Sequence, residues 1–149
     1  KQESVAGKGT VDSRPYQIFE GSNDILYQQI TESVVKSMRR AKLTNMYDFL
    51  SNYEMSKHAS LKLKDALDFN IDYNLNQRKL VELGRALSRI FSMNLVIQLG
   101  ENGFRSDLIQ NALQHLSQEA SNFVNSYQNK MELDVVADYY DDSSWEKFV

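Results

Sequence analysis

The chain has 149 residues, of which 42% are hydrophobic and 25% charged, a composition that is ordinary for one globular domain with a sizeable core. Its formal net charge is -3 and no stripe of Lys and Arg is interleaved with aromatic residues, which argues against a nucleic acid as partner. The absence of Cys excludes disulfides and thiolate metal sites.

The first fourteen residues are polar and glycine-containing, with no apolar period, and are typical of an irregular leader. Pro15 predicts an extended approach to the residues that follow, because its ring fixes the backbone and disfavours helix at the preceding residue. The chain starts at Lys1 rather than Met and has no apolar signal segment at its start. We therefore expect a piece of a longer protein.

A carboxylate, a glycine and two capping residues follow the leader. Gly21 permits a sharp turn or the close approach of a ligand. Ser22 and Asn23 are suited to cap a helix that begins near Asp24, whose charge suits the positive end of the helix dipole. From these residues alone, Glu20 is either a reactive carboxylate at the mouth of a helix or an exposed one stabilised by that dipole.

Helical periodicity begins at this point. A first helix is predicted over 24–42, with an apolar face made by Ile25, Leu26, Ile30, Val34, Val35 and Met38. Shorter helices are predicted over 45–52 and 56–69, the second with Leu61, Leu63, Ala66, Leu67 and Phe69 on its apolar face. The Asn-rich and Asp-rich stretch 70–76 predicts a turn.

The two clearest helices are predicted over 77–99 and 106–131. The apolar residues of the first include Leu80, Leu83, Leu87, Ile90 and Leu95, and those of the second include Leu108, Ile109, Leu113, Leu116 and Phe123. Gly100 and Gly103 are stop signals between them, and Ser106 is a suitable cap. The short connection favours antiparallel packing, so the fold class is all-α: an antiparallel bundle of about four to five helices after an irregular N-terminal leader.

The acidic and aromatic tail 132–149 is interpreted as either a docking segment or a frayed end. Asp138, Asp141 and Asp142 in this tail lack the spacing of a calcium loop. His58 and His115 are too far apart to indicate a metal site, and we expect both on the surface. Three lysines around Leu61 permit contact with a membrane surface, although packing within the bundle also explains that pattern. These lysines are Lys57, Lys62 and Lys64.

The segment Phe19-Glu20-Gly21-Ser22-Asn23-Asp24-Ile25 resembles the acyl-CoA dehydrogenase family, whose members carry an aromatic-Glu-Gly-Thr/Ser segment followed by a polar pair and Ile. The preceding Gln17-Ile18 also fits this pattern, and Asp12 and Arg14 resemble the charged residues that lead into it. The helices after about residue 40 look like the extra C-terminal helical domain of very-long-chain members. The resemblance implies that residues 1–23 are a leader loop and the catalytic corner of the dehydrogenase core, and that residues 24–149 are a C-terminal helical domain.

The same resemblance implies roles for individual residues. Glu20 would be the catalytic base that removes the α-proton of an acyl-CoA thioester, and Phe19 and Gly21 would contact that substrate. Ser22 and Asp24 match positions that touch FAD in the family, and no metal is implied.

A dehydrogenase of this kind would pass electrons to an electron-transferring flavoprotein, form a homo-oligomer, and reside in the cytoplasm, or in the mitochondrion if the source is eukaryotic. Peripheral membrane contact is permitted by the lysine-bearing helix. The alternatives are a helical interaction or oligomerisation module with no catalytic role, and an acyl-CoA oxidase, in which oxygen reoxidises the flavin.

Overall fold

A computed structural model describes residues 20–129. Within this range the chain is all-helical, as predicted, with six helices that pack against one another. In chain order they are α1 (Glu20–Ala41), α2 (Met46–Leu50), α3 (Lys57–Lys62), α4 (Lys64–Leu67), α5 (Gln77–Glu101) and α6 (Ser106–Gln128). The leader and the acidic tail lie outside the described residues.

Helix α5 is the centre of the bundle, because α1, α3 and α6 all pack against it. It begins at Asn76, whose side chain accepts a hydrogen bond from the backbone N–H of Lys79, and this cap satisfies one of the free donors of the first turn. A short connection reverses the chain into α6, and Gly103 in that connection has a φ of 86°, a left-handed conformation that suits glycine. Helices α5 and α6 therefore form an antiparallel hairpin.

Helix α1 packs against α5 and runs antiparallel to it. The buried Thr31 donates from Oγ1 to the carbonyl oxygen of Leu80 at 2.6 Å, and Tyr27 lies against Gly84. Helix α1 ends where Lys42 takes a φ of 56°, and the N–H of Leu43 then donates to the carbonyl oxygen of Met38. This left-handed ending satisfies carbonyl groups that the helix itself leaves free.

The core lies between these three long helices and the short ones. Its fully buried side chains of largest volume include Met38, Met46, Leu50, Leu67, Leu83, Leu87, Ile90, Met93 and Val124. The buried side-chain nitrogen and oxygen atoms of the described residues all have a hydrogen-bond partner. Packing of the apolar helix faces into this shared core, more than the helix propensity of the individual segments, stabilises the helices as one bundle.

Three predicted boundaries differ from the structure. Helix α1 begins at Glu20 rather than Asp24, so Ser22 and Asn23 are helical residues and not caps. Helix α6 has Arg105 at its cap position, so the prediction that Ser106 is the cap was wrong. The helix predicted over 56–69 is two short helices, since Leu63 between them departs from helical backbone angles.

Five side chains that periodicity assigned to the core are exposed instead. They are Ile25, Leu26, Leu61, Leu95 and Leu108, each with more than half of its surface accessible. A periodic apolar stripe indicates which side of a helix is apolar, but burial also requires a neighbour along the whole length of the stripe. In the described part of the chain these five positions have no such neighbour.

Candidate functional site

The predicted catalytic corner coincides with the beginning of α1. The helix starts at Glu20, and Gly21 and Ser22 belong to its first turn. Phe19 lies outside the described residues, and the description of side chains starts at Asn23. The structure therefore brings four of the five predicted site residues onto one helix end, while the contacts made by Glu20 and Ser22 remain predictions.

Asp24 is the predicted site residue whose contacts the structure defines. Its Oδ1 accepts a hydrogen bond from Nη2 of Arg85 on α5 at 2.9 Å, and the Arg85 guanidinium also lies 5.9 Å from the centre of the Tyr27 ring. About half of the Asp24 side chain and 41% of the Arg85 side chain are accessible. Because solvent screens such a pair, we expect it to stabilise the fold by less than about 1 kcal/mol and to leave both groups open to a ligand.

A second arginine lies one turn further along α5. Arg89 donates from Nε to Oε2 of Glu119 on α6 at 2.7 Å, and its guanidinium lies 5.7 Å from the centre of the Phe123 ring. Burial acts against the charge of Arg89, but hydrogen bonds with Glu119 and Tyr27 outweigh it and raise the pKa of Arg89 above its ordinary value. Arg89 therefore keeps its positive charge beside the start of α1.

These side chains surround a small depression of about 220 Å³ at the start of α1. Its walls are Asn23, Asp24, Tyr27, Arg85, Arg89 and Phe123. A neighbouring depression of about 440 Å³ shares Asp24 and Arg85 and is otherwise lined by Gln77, Arg78, Val81 and Glu82. The two depressions lie on either side of the Asp24–Arg85 ion pair.

The chemistry of this surface fits one edge of a dinucleotide such as FAD. Guanidinium groups bind phosphate oxygens, and a carboxylate accepts hydrogen bonds from ribose hydroxyls or an adenine amine. The depression at the start of α1, of about 220 Å³, is however smaller than the usual cofactor site, which is a cleft of about 300–1,000 Å³ that buries most of its ligand. The described residues would therefore form only one wall of a flavin site.

Sequence reasoning missed Arg85 and Arg89. Arg85 is 61 residues away from Asp24 in the chain, and only the packing of α1 on α5 brings the two together. A sequence signal was present, since the two arginines are four residues apart and so share one face of a helix. That face could not be assigned to the site without knowing how α5 packs.

The other candidate groups do not form sites in the described residues. His115 is 72% accessible, with Nε2 3.7 Å from Oε1 of Glu119, and residues 20–129 contain no group of three His, Asp or Glu side chains placed to hold a metal ion. The acidic tail that carries Asp138, Asp141 and Asp142 lies outside this range. Leu61 is exposed beside the lysines of α3 and α4, as contact with a membrane surface requires. One of these lysines, Lys57, forms an ion pair with Glu54.

None of the helices in residues 20–129 combines the length and the apolar character needed to cross a lipid bilayer. Comparison of the chain with protein-family profiles, with curated proteins and with solved structures gave no significant match.

Proposed function

We propose that this chain is the C-terminal part of an FAD-dependent acyl-CoA dehydrogenase that introduces an α,β double bond into an acyl-CoA thioester during fatty-acid β-oxidation. The observation that carries the proposal is the aromatic-Glu-Gly-Ser pattern of the segment 19–25, of which Glu20 opens a 22-residue helix whose first turns lie beside two arginines of α5. Two explanations of this segment can be compared. Stabilisation of a helix start would require only one suitable side chain, whereas the resemblance to the dehydrogenase pattern explains the residue type at each position of the segment.

In this proposal Glu20 acts as the base. The α-proton of a thioester is weakly acidic, so its removal requires a carboxylate whose pKa is raised by desolvation, together with donors for the enolate oxygen that develops. The Glu20 carboxylate takes the α-proton, the backbone N–H of the same residue donates to the thioester oxygen, and Gly21 lets the substrate approach the backbone closely. Phe19 provides an apolar contact for the acyl chain.

FAD, when bound, would accept the hydride that leaves the β-carbon of the substrate. Ser22 and Asp24 would hold it by hydrogen bonds, and Arg85 beside Asp24 would complement the charge of its phosphates. The remaining walls of the flavin and acyl sites would come from other domains of a longer protein, because the depression of about 220 Å³ at the start of α1 is too small to enclose either ligand.

The proposal extends to the partners and the compartment of the enzyme. An electron-transferring flavoprotein would reoxidise the reduced flavin, and the enzyme would act as a homo-oligomer. Its compartment would be the cytoplasm, or the mitochondrion of a eukaryote, and the exposed Leu61 among the lysines of α3 and α4 would permit peripheral membrane contact.

One observation favours a second candidate, a helical interaction module with no catalytic role. Eight large apolar side chains in the described residues are exposed, among them Phe104 and Leu61 with accessible fractions above 60%. Apolar side chains grouped on a surface often mark a protein interface. In that case Glu20 would only stabilise the start of α1 through the helix dipole.

Glu20→Gln in the longer protein that contains this chain separates the two candidates. The substitution keeps the shape of the side chain and removes its basicity, so the flavin should still bind while acyl-CoA no longer bleaches its visible band under anaerobic conditions. We expect a loss of at least about a hundredfold in the bleaching rate, the scale of a general base. Absorbance spectroscopy during titration with acyl-CoAs of several chain lengths measures this.

Glu32→Gln is the matched control, because Glu32 is an exposed carboxylate on the same helix that accepts a hydrogen bond from Nε2 of Gln28 and lies far from the start of α1. It should bleach like the unsubstituted protein. A protein that neither copurifies with flavin nor binds added flavin would contradict the dehydrogenase proposal and support the interaction module. Rapid reoxidation of the bleached flavin by oxygen would identify an acyl-CoA oxidase instead.

A further inference from the structure

The turn end of the α5–α6 hairpin carries an exposed apolar surface, which we call the hairpin-end patch. It consists of Leu95, Leu99, Phe104 and Leu108, whose accessible fractions are 58%, 42%, 62% and 55%. The N–H of Phe104 donates to the carbonyl oxygen of Leu99, which joins the loop to the last turns of α5. Such a group of large apolar side chains is costly to leave in water.

The patch continues the face of α5 that α1 covers. Gly84 marks this face, because the backbone of Tyr27 lies directly against it. At about 100° per residue, Leu95 lies about 20° and Leu99 about 60° around the helix from Gly84. The two leucines therefore occupy the same side of α5, beyond the point at which α1 stops covering it.

Helix α6 shows the same arrangement. Phe123 lines the depression at the start of α1 together with Asn23 and Tyr27, so it marks the side of α6 that faces α1. Leu108 precedes Phe123 by fifteen residues and so lies about 60° around the helix from it. The space between α5 and α6 that α1 covers therefore continues past the first turn of α1 as an apolar groove, and the hairpin-end patch lines this continuation.

The position of Glu20 relative to this groove follows from the antiparallel packing. Asp24 meets Arg85, so Glu20, about one turn earlier on α1, lies near the level of Arg89 on α5. From Arg89, Leu95 is about 9 Å and Leu99 about 15 Å further along the axis, at 1.5 Å per residue. The chain that enters α1 therefore arrives at the edge of the patch.

The residues just before Glu20 have the composition and spacing to fill the groove. In an extended chain Tyr16 and Ile18 point to the same side, about 6.6 Å apart, and the spacing of Leu95 and Leu99 along α5 is about 6 Å. If the chain before Glu20 were extended, Ile18 would lie about 6.6 Å and Tyr16 about 13 Å from Glu20, distances close to the levels of Leu95 and Leu99. Pro15 favours this extended backbone.

We propose that residues 15–19 lie in extended form across the hairpin-end patch, with Ile18 against Leu95 and Tyr16 against Leu99. The packing buries apolar surface on both sides and anchors the chain directly before Glu20. This proposal does not rest on the dehydrogenase assignment, because a leader that docks in this way would fix the start of α1 in either candidate function.

Two other occupants are compatible with an apolar patch. The C-terminal tail contains aromatic residues such as Trp145 and Phe148, but it leaves α6 at Asn129, about 35 Å of helix away from the patch. A second copy of the chain could also cover the patch. The leader is favoured because it is joined to α1 at the edge of the groove and loses little chain entropy by docking there.

Disulfide trapping tests the proposal cleanly, because the chain has no Cys of its own. The double variant Ile18→Cys/Leu95→Cys in the full chain should form an intramolecular disulfide under mild oxidation, since a disulfide requires Cα atoms within about 7 Å. The control is Ile18→Cys/Gln110→Cys. Gln110 is exposed near the same end of the hairpin, but it is turned about 160° around α6 from Leu108 of the patch.

We expect the Leu95 pair to close at least about tenfold faster than the Gln110 pair, measured by thiol alkylation and mass spectrometry. Equal rates would overturn the proposal, as would faster closure of Trp145→Cys/Leu95→Cys or disulfides that form only between molecules. These last two outcomes would identify the tail or a second copy as the occupant. Tyr16→Cys/Leu99→Cys provides the same test if the first double variant does not fold, which circular dichroism would reveal.

Discussion

At the scale of single residues, Gly84 determines how closely α1 approaches α5. A Cβ atom at this position would lie 2.8 Å from the Cα of Tyr27 and against its carbonyl group, and these backbone atoms cannot move aside without moving the helix. Glycine is unfavourable inside a helix by about 1 kcal/mol relative to alanine. The close contact between the two backbones explains why a glycine is required here.

We therefore predict that Gly84→Ala lowers the free energy of unfolding by about 2 kcal/mol, because the strain of overpacking exceeds the gain in helix propensity. Chemical denaturation measures this. Gly100→Ala is the matched control on the same helix: its Cβ would lie 3.2 Å from a side-chain methyl group of Ile109, which can shift. A smaller loss for Gly84→Ala than for Gly100→Ala would contradict the proposed packing.

At the scale of elements, the buried Asn94 attaches the short helices to α5. Its Oδ1 accepts a hydrogen bond from the N–H of His58 at 3.1 Å, and its Nδ2 donates to the carbonyl oxygen of Glu54 at 3.4 Å. Only 1% of Asn94 is accessible, so water cannot replace these bonds. One side chain thus holds the turn before α3 against the central helix.

Asn94→Ala should lower the free energy of unfolding by about 2 kcal/mol, because it leaves two partly buried backbone groups without their partners. Urea denaturation followed by circular dichroism provides the measurement. Asn111→Ala, the same substitution at an exposed position of α6, should change this free energy by no more than about 0.5 kcal/mol. Similar effects of the two substitutions would show that Asn94 does not hold the turn.

At the scale of the whole molecule, Tyr127 couples the stability of the bundle to pH. It is 6% accessible, and its ring packs against Phe69 with centroids 5.6 Å apart while Lys79 lies 5.4 Å from its centre. Burial, with a smaller contribution from the charge of Asp72, raises the pKa of Tyr127 above its ordinary value of 10.0. The folded state therefore holds the phenol proton more tightly than the unfolded state.

The sign of the pH dependence follows from this difference. Well below pH 10 Tyr127 is neutral in both states and its contribution to stability is fully present; as the pH approaches and passes 10, the unfolded state ionises first and this contribution is lost. The stability advantage of the unsubstituted chain over Tyr127→Phe should therefore shrink between pH 9 and pH 11. Denaturant titrations of both proteins measure it, and between pH 6 and pH 8 their difference should stay constant.

Much of the architecture could be predicted from the sequence. The all-α class, the two long helices of the hairpin and their antiparallel packing follow from apolar periodicity and a short glycine-containing connection. The break at Leu63 within the predicted helix 56–69 was missed, because no Pro or Gly marks it; Leu63 is a buried core residue, and tertiary packing can override helix propensity.

The candidate site was predictable only where its residues are adjacent in the chain. The segment from Phe19 to Asp24 carries its signal within a few residues, and that signal is the basis of the dehydrogenase proposal. Arg85 and Arg89 carry no comparable local signal, since each is an ordinary charged residue of an amphipathic helix. Their place beside Asp24 results from the crossing of α1 over α5.

The sequence by itself therefore determined the helices and the apolar side of each one, because both depend on interactions between residues three or four positions apart. The tertiary structure alone decided which parts of those apolar sides are buried. Leu87 and Leu95 belong to the same predicted helix, yet Leu87 is fully buried and Leu95 is 58% accessible. The physical reason is that burial requires a packing partner at each level of the helix, and among the described residues α1 begins near the level of Arg89 and does not cover Leu95.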